Sequence, residues 1–304
     1  MRALNIARVV RALPRWARRH RLVNLLLAVS PGSCIQEVPF NGRARLMADL
    51  RDPFPRAYLL SGQFEPEFFE IASPFLRTGG VFVDVGANFG FCSFGLIAHL
   101  GLPPGEMEYH LFEANREICE VLDRSVALHP RERVFVTPGC VTDRPGVSRL
   151  HVIPTQLGAS YIADDGTQRV RNVVLDEYIR ARGIGRVDLL KIDVEGLEPK
   201  VLRGVTRCLD AGVVRAVYVE VSCDNLARQG FGPEDVLGPL RAANFELLYV
   251  KEVDLRRLAQ SGAVTTMAVA GRTLRVSPVF VFPSGHQTDV LAVRRDELAQ
   301  WQVQ

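Results

Sequence analysis

Five carboxylates stand where an apolar, strand-like run reads into a turn: Asp84, Glu113, Asp193, Glu195 and Glu220. Buried charges are costly unless something pairs with them. In open α/β sheets, the carboxyl ends of strands are also where ligands bind. The first acid lies in VFVDVGANFGFCSFGLIAHL, residues 81–100, and is followed closely by Gly86, Ala87 and Gly90 before a helical pattern begins. Gly86 permits a backbone conformation closed to other residues, while Ala87 and Gly90 let a ligand or the next element approach. The spacing departs from the G-x-G-x-x-G of dinucleotide sites. An acid at Asp84 is ill matched to a pyrophosphate on the helix N-terminus. It suits a positive group, such as the amino group of a methionine moiety.

Glu113 ends the next apolar run, HLFEAN, 23 residues after Gly90. That offset is close to the one at which a carboxylate grips the two hydroxyls of a ribose. Asp84 and Glu113 together read as the amino-acid end and the ribose end of S-adenosylmethionine. The second cluster lies in VDLLKIDVEGLEPKVLRG, residues 187–204. By strand alternation Lys191, Asp193 and Glu195 point to one side and can converge on the crevice that holds Asp84. A plainer reading is an ion pair between Lys191 and one carboxylate that fixes the turn. Glu220 closes the later run VYVEVS and is either a third member of the site or a structural group.

The elements that must position these residues alternate. Strand-like runs occur at 81–85, 108–112, 133–137, 187–193, 214–221 and 245–250, with helix-like segments at 91–100, 115–128, 197–209 and 233–243. This βαβα rhythm predicts a parallel sheet with helices on both faces. Residues 148–180 break the rhythm with further strands and a short helix, and a final strand is expected at 288–296 after an irregular segment, 255–287. Ahead of the alternation, residues 35–50 read as a hairpin turning at Asn41-Gly42, and 65–80 as a helix closed by Gly79-Gly80. The expected division is an N-terminal basic helical arm and hairpin, 1–60, and one catalytic domain, 61–304.

Composition narrows the function classes. The 304-residue chain has a formal charge of +3, yet its first 36 residues hold seven Arg and no acid. The rest is therefore mildly acidic, which argues against nucleic acid as a partner. Six Cys without CxxC pairs or nearby ligand His give no common zinc spacing, and they fit the reduced thiols of a cytoplasmic protein. No apolar run reaches the length of a membrane span. Leu22–Val29 is too short, and the basic stretch before it too long, for a cleaved leader. Residues 1–30 interleave Arg with Leu4, Ile6, Val9, Val10, Leu13 and Trp16, a pattern that fits peripheral contact with an anionic membrane; a helix packed on the domain is the alternative. The sequence carries no signal for an oligomeric state.

EPEFFE, VFVDVGANFG, HLFEAN, VVLDEYI, VDLLKIDVEGLEPKVLRG, VYVEVS and FELLYV, in this order over about residues 60–251, resemble the FkbM-type family of S-adenosylmethionine-dependent methyltransferases. The resemblance implies an α/β, Rossmann-like class I fold: a seven-stranded sheet flanked by helices, with the last strand antiparallel. It implies cofactor contacts at Asp84, Gly86, Ala87, Asn88, Gly90 and Glu113, with Cys140 and Val141 beside adenine. Ala114 stands where the family often has Pro, which leaves Glu113 in place. The activity implied is O-methylation of a hydroxyl on a sugar, glycan or other small metabolite.

A hydroxyl acceptor needs a base, or a metal that lowers its pKa. Asp193 is the first candidate for the base, with Glu195 and Glu220 next. No metal is assigned, although these three acids are the set that would hold a divalent ion. His110, inside a strand, and His286, in the irregular segment, read as structural and solvated respectively. Two rivals stay open: a non-catalytic protein keeping the cofactor fold, and an NAD-dependent oxidoreductase, which Asp84 and the glycine spacing disfavour. Acceptor specificity is expected in 1–75, 148–180 and 255–287.

Overall fold

The computed structural model describes residues 6–12, 19–29, 34–258, 264–269, 272–279, 282–298 and 302–303. Helices α1 (Ile6–Ala12) and α2 (Arg19–Val29) precede the hairpin β1 (Ile35–Phe40) and β2 (Ala44–Asp49), then α3 (Pro53–Ser61) and α4 (Pro66–Leu76). The alternation follows as β3 (Gly80–Val85), α5 (Phe91–Leu100), β4 (Met107–Glu113), α6 (Arg116–Val126) and β5 (Arg133–Pro138). A side sheet comprises β6 (Cys140–Val141), β7 (Val147–His151), β8 (Tyr161–Ile162) and β9 (Gln168–Val173). Next come α7 (Leu175–Ala181), β10 (Leu189–Ile192), α8 (Glu198–Gly204), α9 (Thr206–Asp210), β11 (Ala216–Ser222), α10 (Cys223–Arg228), α11 (Pro233–Ala242) and β12 (Phe245–Tyr249). The chain ends with α12 (Glu252–Leu258), β13 (Thr265–Val269), β14 (Arg272–Pro278), β15 (Gln287–Arg294), α13 (Arg295–Leu298) and β16 (Gln302–Val303).

The main sheet runs β5-β4-β3-β10-β11-β15-β12 and continues through β14, β13 and β16. β3, β4, β5, β10 and β11 are mutually parallel, and β15 inserts antiparallel between β11 and β12. These are the seven expected strands, with the last antiparallel. Two of the further strands correct the expectation of an irregular segment at 255–287: β13 and β14 form an antiparallel hairpin that pairs onto β12. Chain order reverses between β3 and β10. The turns that leave these two strands therefore open side by side, as ligand sites of this architecture require.

Strand alternation assigns the faces. Val83, Val85, Leu190, Ile192, Val217 and Val219 pack into the core on one face of the sheet. Phe82, Leu189 and Tyr218 join the core on the other face, together with Phe68, Phe94 and the N-terminal elements. Asp84 and Lys191 each lie two residues beyond a member of this second set and are paired in register across the parallel ladder, with Tyr218 opposite Lys191 on its far side.

The N-terminal extension shares this core. Ile6, Val10, Val23, Phe40 and Leu46 are fully or almost fully buried in it. Ile6, Val10 and Val23 thus face the domain and not a bilayer, and residue 60 marks no break in the packing. Leu4, Leu13, Pro14 and Trp16 lie outside the described residues. Among the described residues, no helix is long and apolar enough to cross a membrane. The hairpin turns where expected but through a three-residue loop, because Phe40 pairs with Ala44. Asn41 adopts a left-handed conformation (φ 44°), and its side chain exchanges two 2.8 Å hydrogen bonds with the backbone of Phe64.

At the switch point one glycine is obligatory. Gly86 has φ 79°, its N–H and that of Ala87 both donate to the Phe112 carbonyl, and a Cβ there would run into the carbonyl oxygen of Asp193. Gly86→Ala is expected to cost about 2–4 kcal/mol, combining left-handed strain with a backbone clash. Gly42→Ala shares the strain at φ 81° but has nothing within 4 Å of the added carbon, so its cost should be only about 1 kcal/mol. Denaturant midpoints compare the two, and equal losses would remove the close-approach argument.

Candidate active site

A cavity of about 490 Å³ opens at the carboxyl ends of β3, β4, β10 and β11. Its lining includes Gly86, Ala87, Asn88, Glu113, Cys140, Val141, Asp193, Glu195 and Glu220. Nine of the eleven residues singled out from sequence thus meet in one place. Asp84 and Gly90 do not line it. A Cβ at Gly90 would press on Phe94 and Leu122, so that glycine serves helix packing. Asp84 is fully buried, accepts a 2.7 Å hydrogen bond from Ser93 Oγ and lies 3.7 Å from Lys191 Nζ. The positive group expected beside Asp84 is supplied by the protein itself.

At one end, the turn after β3 presents backbone and small side chains. Glu113 lies beside it, with Oε2 accepting from the Asn88 N–H at 2.9 Å and Oε1 from the Asn115 N–H at 2.8 Å. The carboxylate therefore staples the first turn to the start of α6, and burial pushes its pKa up against those hydrogen bonds. Val141, Cys140 and Leu157 add an apolar wall, and burial raises the Cys140 thiol to about 11. Gly158 packs so closely on the Asn88 side chain that a Cβ could not be added. Small residues, an apolar slot and a ribose-compatible acid fit a nucleoside.

At the other end the acids gather. Lys191 Nζ is 3.1 Å from Asp193 Oδ2; the ammonium thus pairs with two carboxylates, where the sequence reading had considered one. Glu195 occupies a left-handed turn position (φ 56°), a strain typical of functional turns, and accepts from Asn225 Nδ2 at 2.9 Å. Burial, then Asp193 and Glu198, raise its pKa to about 7. Glu220 accepts from Gln287 Nε2 at 2.9 Å; burial and then Asp193 push it to about 9. Among the described residues, no three His, Cys, Asp or Glu side chains are grouped to hold a metal ion.

Sequence reading missed several lining residues. Tyr218 donates to Asp289 Oδ2 at 3.0 Å, and Lys251 bridges Asp289 and Glu65 at 2.8 and 3.1 Å. Tyr218 could have been found from period two, standing one pleat before Glu220. Asp289 could not, because it reaches the site through antiparallel pairing opposite Glu220. Neither histidine lines the cavity. His110 is buried, lies 2.9 Å from the Tyr178 hydroxyl and has its pKa lowered by burial. His286 is half-buried against Asp254 at 2.7 Å.

Glu220 makes stability depend on pH. Its folded pKa, about 9, exceeds the unfolded value, so the folded chain binds the extra proton and stability falls as pH rises through the interval between them. Glu220→Gln keeps an acceptor for Gln287 and removes this titration. At pH 9 its melting temperature should exceed that of the wild type by roughly 3 °C or more, with no gain at pH 5. A constant offset at both pH values would show that ionisation is not the cause.

Comparison with known proteins agrees with this geometry. The family model for the methyltransferase FkbM domain matches residues 84–247, more than half of the chain. The 31-O-demethyl-FK506 methyltransferase FkbM of Streptomyces tacrolimicus is 33% identical over 179 residues, which cover 48% of this chain and 66% of that protein, just under two thirds of its length. Among solved structures, a putative O-methyltransferase from Klebsiella pneumoniae aligns with a TM-score of 0.39 at 11% identity, over 75% of this chain and 78% of that one. TYW2 from M. jannaschii, solved with AdoMet, aligns at 0.37 and 10% identity, over 86% and 87%. These scores are low, and the fold rests instead on the strand order of the chain itself. The motifs, the switch-point cavity and the match across residues 84–247 lead to one conclusion: the chain belongs to the FkbM family of methyltransferases.

Proposed function

We propose that the protein transfers a methyl group from S-adenosylmethionine to a hydroxyl of a sugar, glycan or other small metabolite. The observation that carries this reading is one cavity with two chemically distinct ends, a nucleoside-shaped end at Glu113 and an acidic end at Asp193, Glu195 and Glu220. The name of the Streptomyces relative, a 31-O-demethyl-FK506 methyltransferase, supports oxygen as the accepting atom.

The cofactor, when bound, supplies a methyl group on a sulfonium. Gly86, Ala87 and Asn88 would hold its amino-acid portion through backbone and amide groups. The outer lone pairs of Glu113 would accept from the ribose hydroxyls, and Cys140 and Val141 would flank the adenine. Aligning the acceptor oxygen with the methyl carbon accounts for much of the acceleration in such transfers. Asp193 is the assigned base: its ion pair with Lys191 holds one oxygen and leaves the side chain 39% exposed toward the cavity. Glu195, near 7, is the second base candidate. Glu220, near 9, carries a proton at neutral pH and would donate to the acceptor, not deprotonate it.

Calorimetry with S-adenosylmethionine tests the cofactor half. Glu113→Gln should weaken binding by roughly tenfold or more, since charge-assisted hydrogen bonds contribute about 1.5–3 kcal/mol each; unchanged affinity would sink the ribose assignment. A labelled-methyl screen against glycans and lipid-linked sugars identifies the acceptor. With that acceptor, Asp193→Asn should keep cofactor affinity within about threefold and lower turnover by about 100-fold or more. Surviving turnover would pass the role of base to Glu195.

A further inference from the structure

Below the acidic end of the cavity, two carboxylates share one buried ammonium. Lys191 Nζ stands 3.1 Å from Asp193 Oδ2 and 3.7 Å from Asp84 Oδ1. The partners are unlike. Asp84 is sealed in the sheet, fixed by Ser93 Oγ at 2.7 Å and by its register opposite Lys191. Asp193 lies past the strand end, with its side chain 39% exposed. Asp84 Oδ1 has no hydrogen-bond donor and is buried, so its interaction with the ammonium is the compensation available to it. Burial alone would lower the Lys191 pKa, but Asp193 and Asp84 outweigh it and hold the ammonium charged. The charge of Asp193 is in turn felt by Glu195 and Glu198 around its own turn, by Glu220 from β11, by Cys92 from α5 and by Tyr58 from α3. Lys191 is the cation that pairs directly with Asp193.

We propose that Asp84 is a positioning residue that shares Lys191 with Asp193, and so sets the aim and basicity of Asp193 without touching the cofactor. This rests on the reading of Asp193 as the base. The competition has a physical signature. With Asp84 neutralised, the ammonium belongs to Asp193 alone, which becomes a weaker base. With Lys191 neutralised, Asp84 takes up a proton in its buried setting and Asp193 loses its paired cation, becoming a stronger one. The two changes move Asp193 in opposite directions, whereas a merely structural role would give no ordered pair of shifts.

The test has an arm that needs no turnover. In protein with ¹³C-labelled aspartate carboxyls, the titration midpoint of Asp193 is followed by NMR. Asp84→Asn should lower it by about half a pH unit or more, and Lys191→Met should raise it by about one unit. Ser93→Ala, which loosens Asp84 without removing it, should shift it slightly downward. In the second arm, with cofactor and acceptor, the acidic limb of the kcat–pH profile should follow the same order. The dissociation constant for S-adenosylmethionine should stay within about threefold in Asp84→Asn, matching a residue outside the cavity. Midpoints that do not move, or that move the same way in Asp84→Asn and Lys191→Met, overturn the proposal. A loss of cofactor affinity beyond about tenfold in Asp84→Asn also overturns it, by making Asp84 a ligand. Should Asp84→Asn fail to fold, Ser93→Ala and Lys191→Met decide the matter by the sign of their shifts. A wild type that neither binds nor turns over the cofactor would defeat the functional reading, and the NMR arm would still report on the shared ammonium.

Discussion

Gly86 lies so close to the carbonyl of Asp193 that no side chain fits between them, and the site depends on this contact. It occurs where chain order in the sheet reverses, between β3 and β10. Because the two strands are parallel neighbours, their exits lie side by side. Because the backbones nearly touch, the turn after β3 and the turn after β10 form one continuous wall. A larger residue at position 86 would separate the Asn88–Glu113 end from the Asp193–Glu195 end. The glycine that resembles a ligand-binding feature is first a packing requirement between two protein segments.

The same juxtaposition explains how two charges tolerate burial. Asp84 and Lys191 are individually expensive to remove from water, but β3 and β10 pair in a register that places Lys191 opposite Asp84. The ammonium then satisfies one acid inside the sheet and another at its edge. Glu195 and Glu220 instead accept from the amides of Asn225 and Gln287, and each is raised by burial and by its acidic neighbours. One cluster thus contains an ion-paired carboxylate, one that titrates near neutrality and one that stays protonated well above it. Proton removal and hydrogen-bond donation both become available within a single crevice.

Other walls of the cavity come largely from segments outside the alternating core. Phe64 and Phe91 stack at 5.0 Å, and Tyr58 meets both edge-on. This aromatic group is held by the hairpin through Asn41 and Phe64. On the opposite side, Tyr161 lies between Arg228 and His151, and Gln229 donates to the Ile162 carbonyl. The segment around Gly158 approaches both Asn88 and Asp52. These walls are assembled from regions far apart in the chain, consistent with one alternating scaffold accepting different acceptors through its additions.

Much of the scaffold was legible in the sequence, because it follows from local periodicity. A run buried on both faces has to be apolar, so β3, β4, β10, β11 and β12 announce themselves, and the charges ending them mark the ligand side. Asp193, Glu195, Glu220 and Glu113 were found in this way and meet in the cavity. Local pattern also identified Asn41-Gly42 as a turn, although not the loop length, which depends on pairing between Phe40 and Ala44. What only tertiary structure decided was partnership. Asp84 pairs with Lys191 instead of a ligand because of strand register. Asp289 joins the site because β15 inserts antiparallel beside β11. The hairpin of β13 and β14 was hidden because it lengthens the sheet at an edge, where alternation is weak. Ile6 and Val10 are core residues because the arm folds back on the domain. Periodicity records which face a side chain needs, whereas the neighbour it meets there is set by pairings between distant segments, and no local pattern contains them.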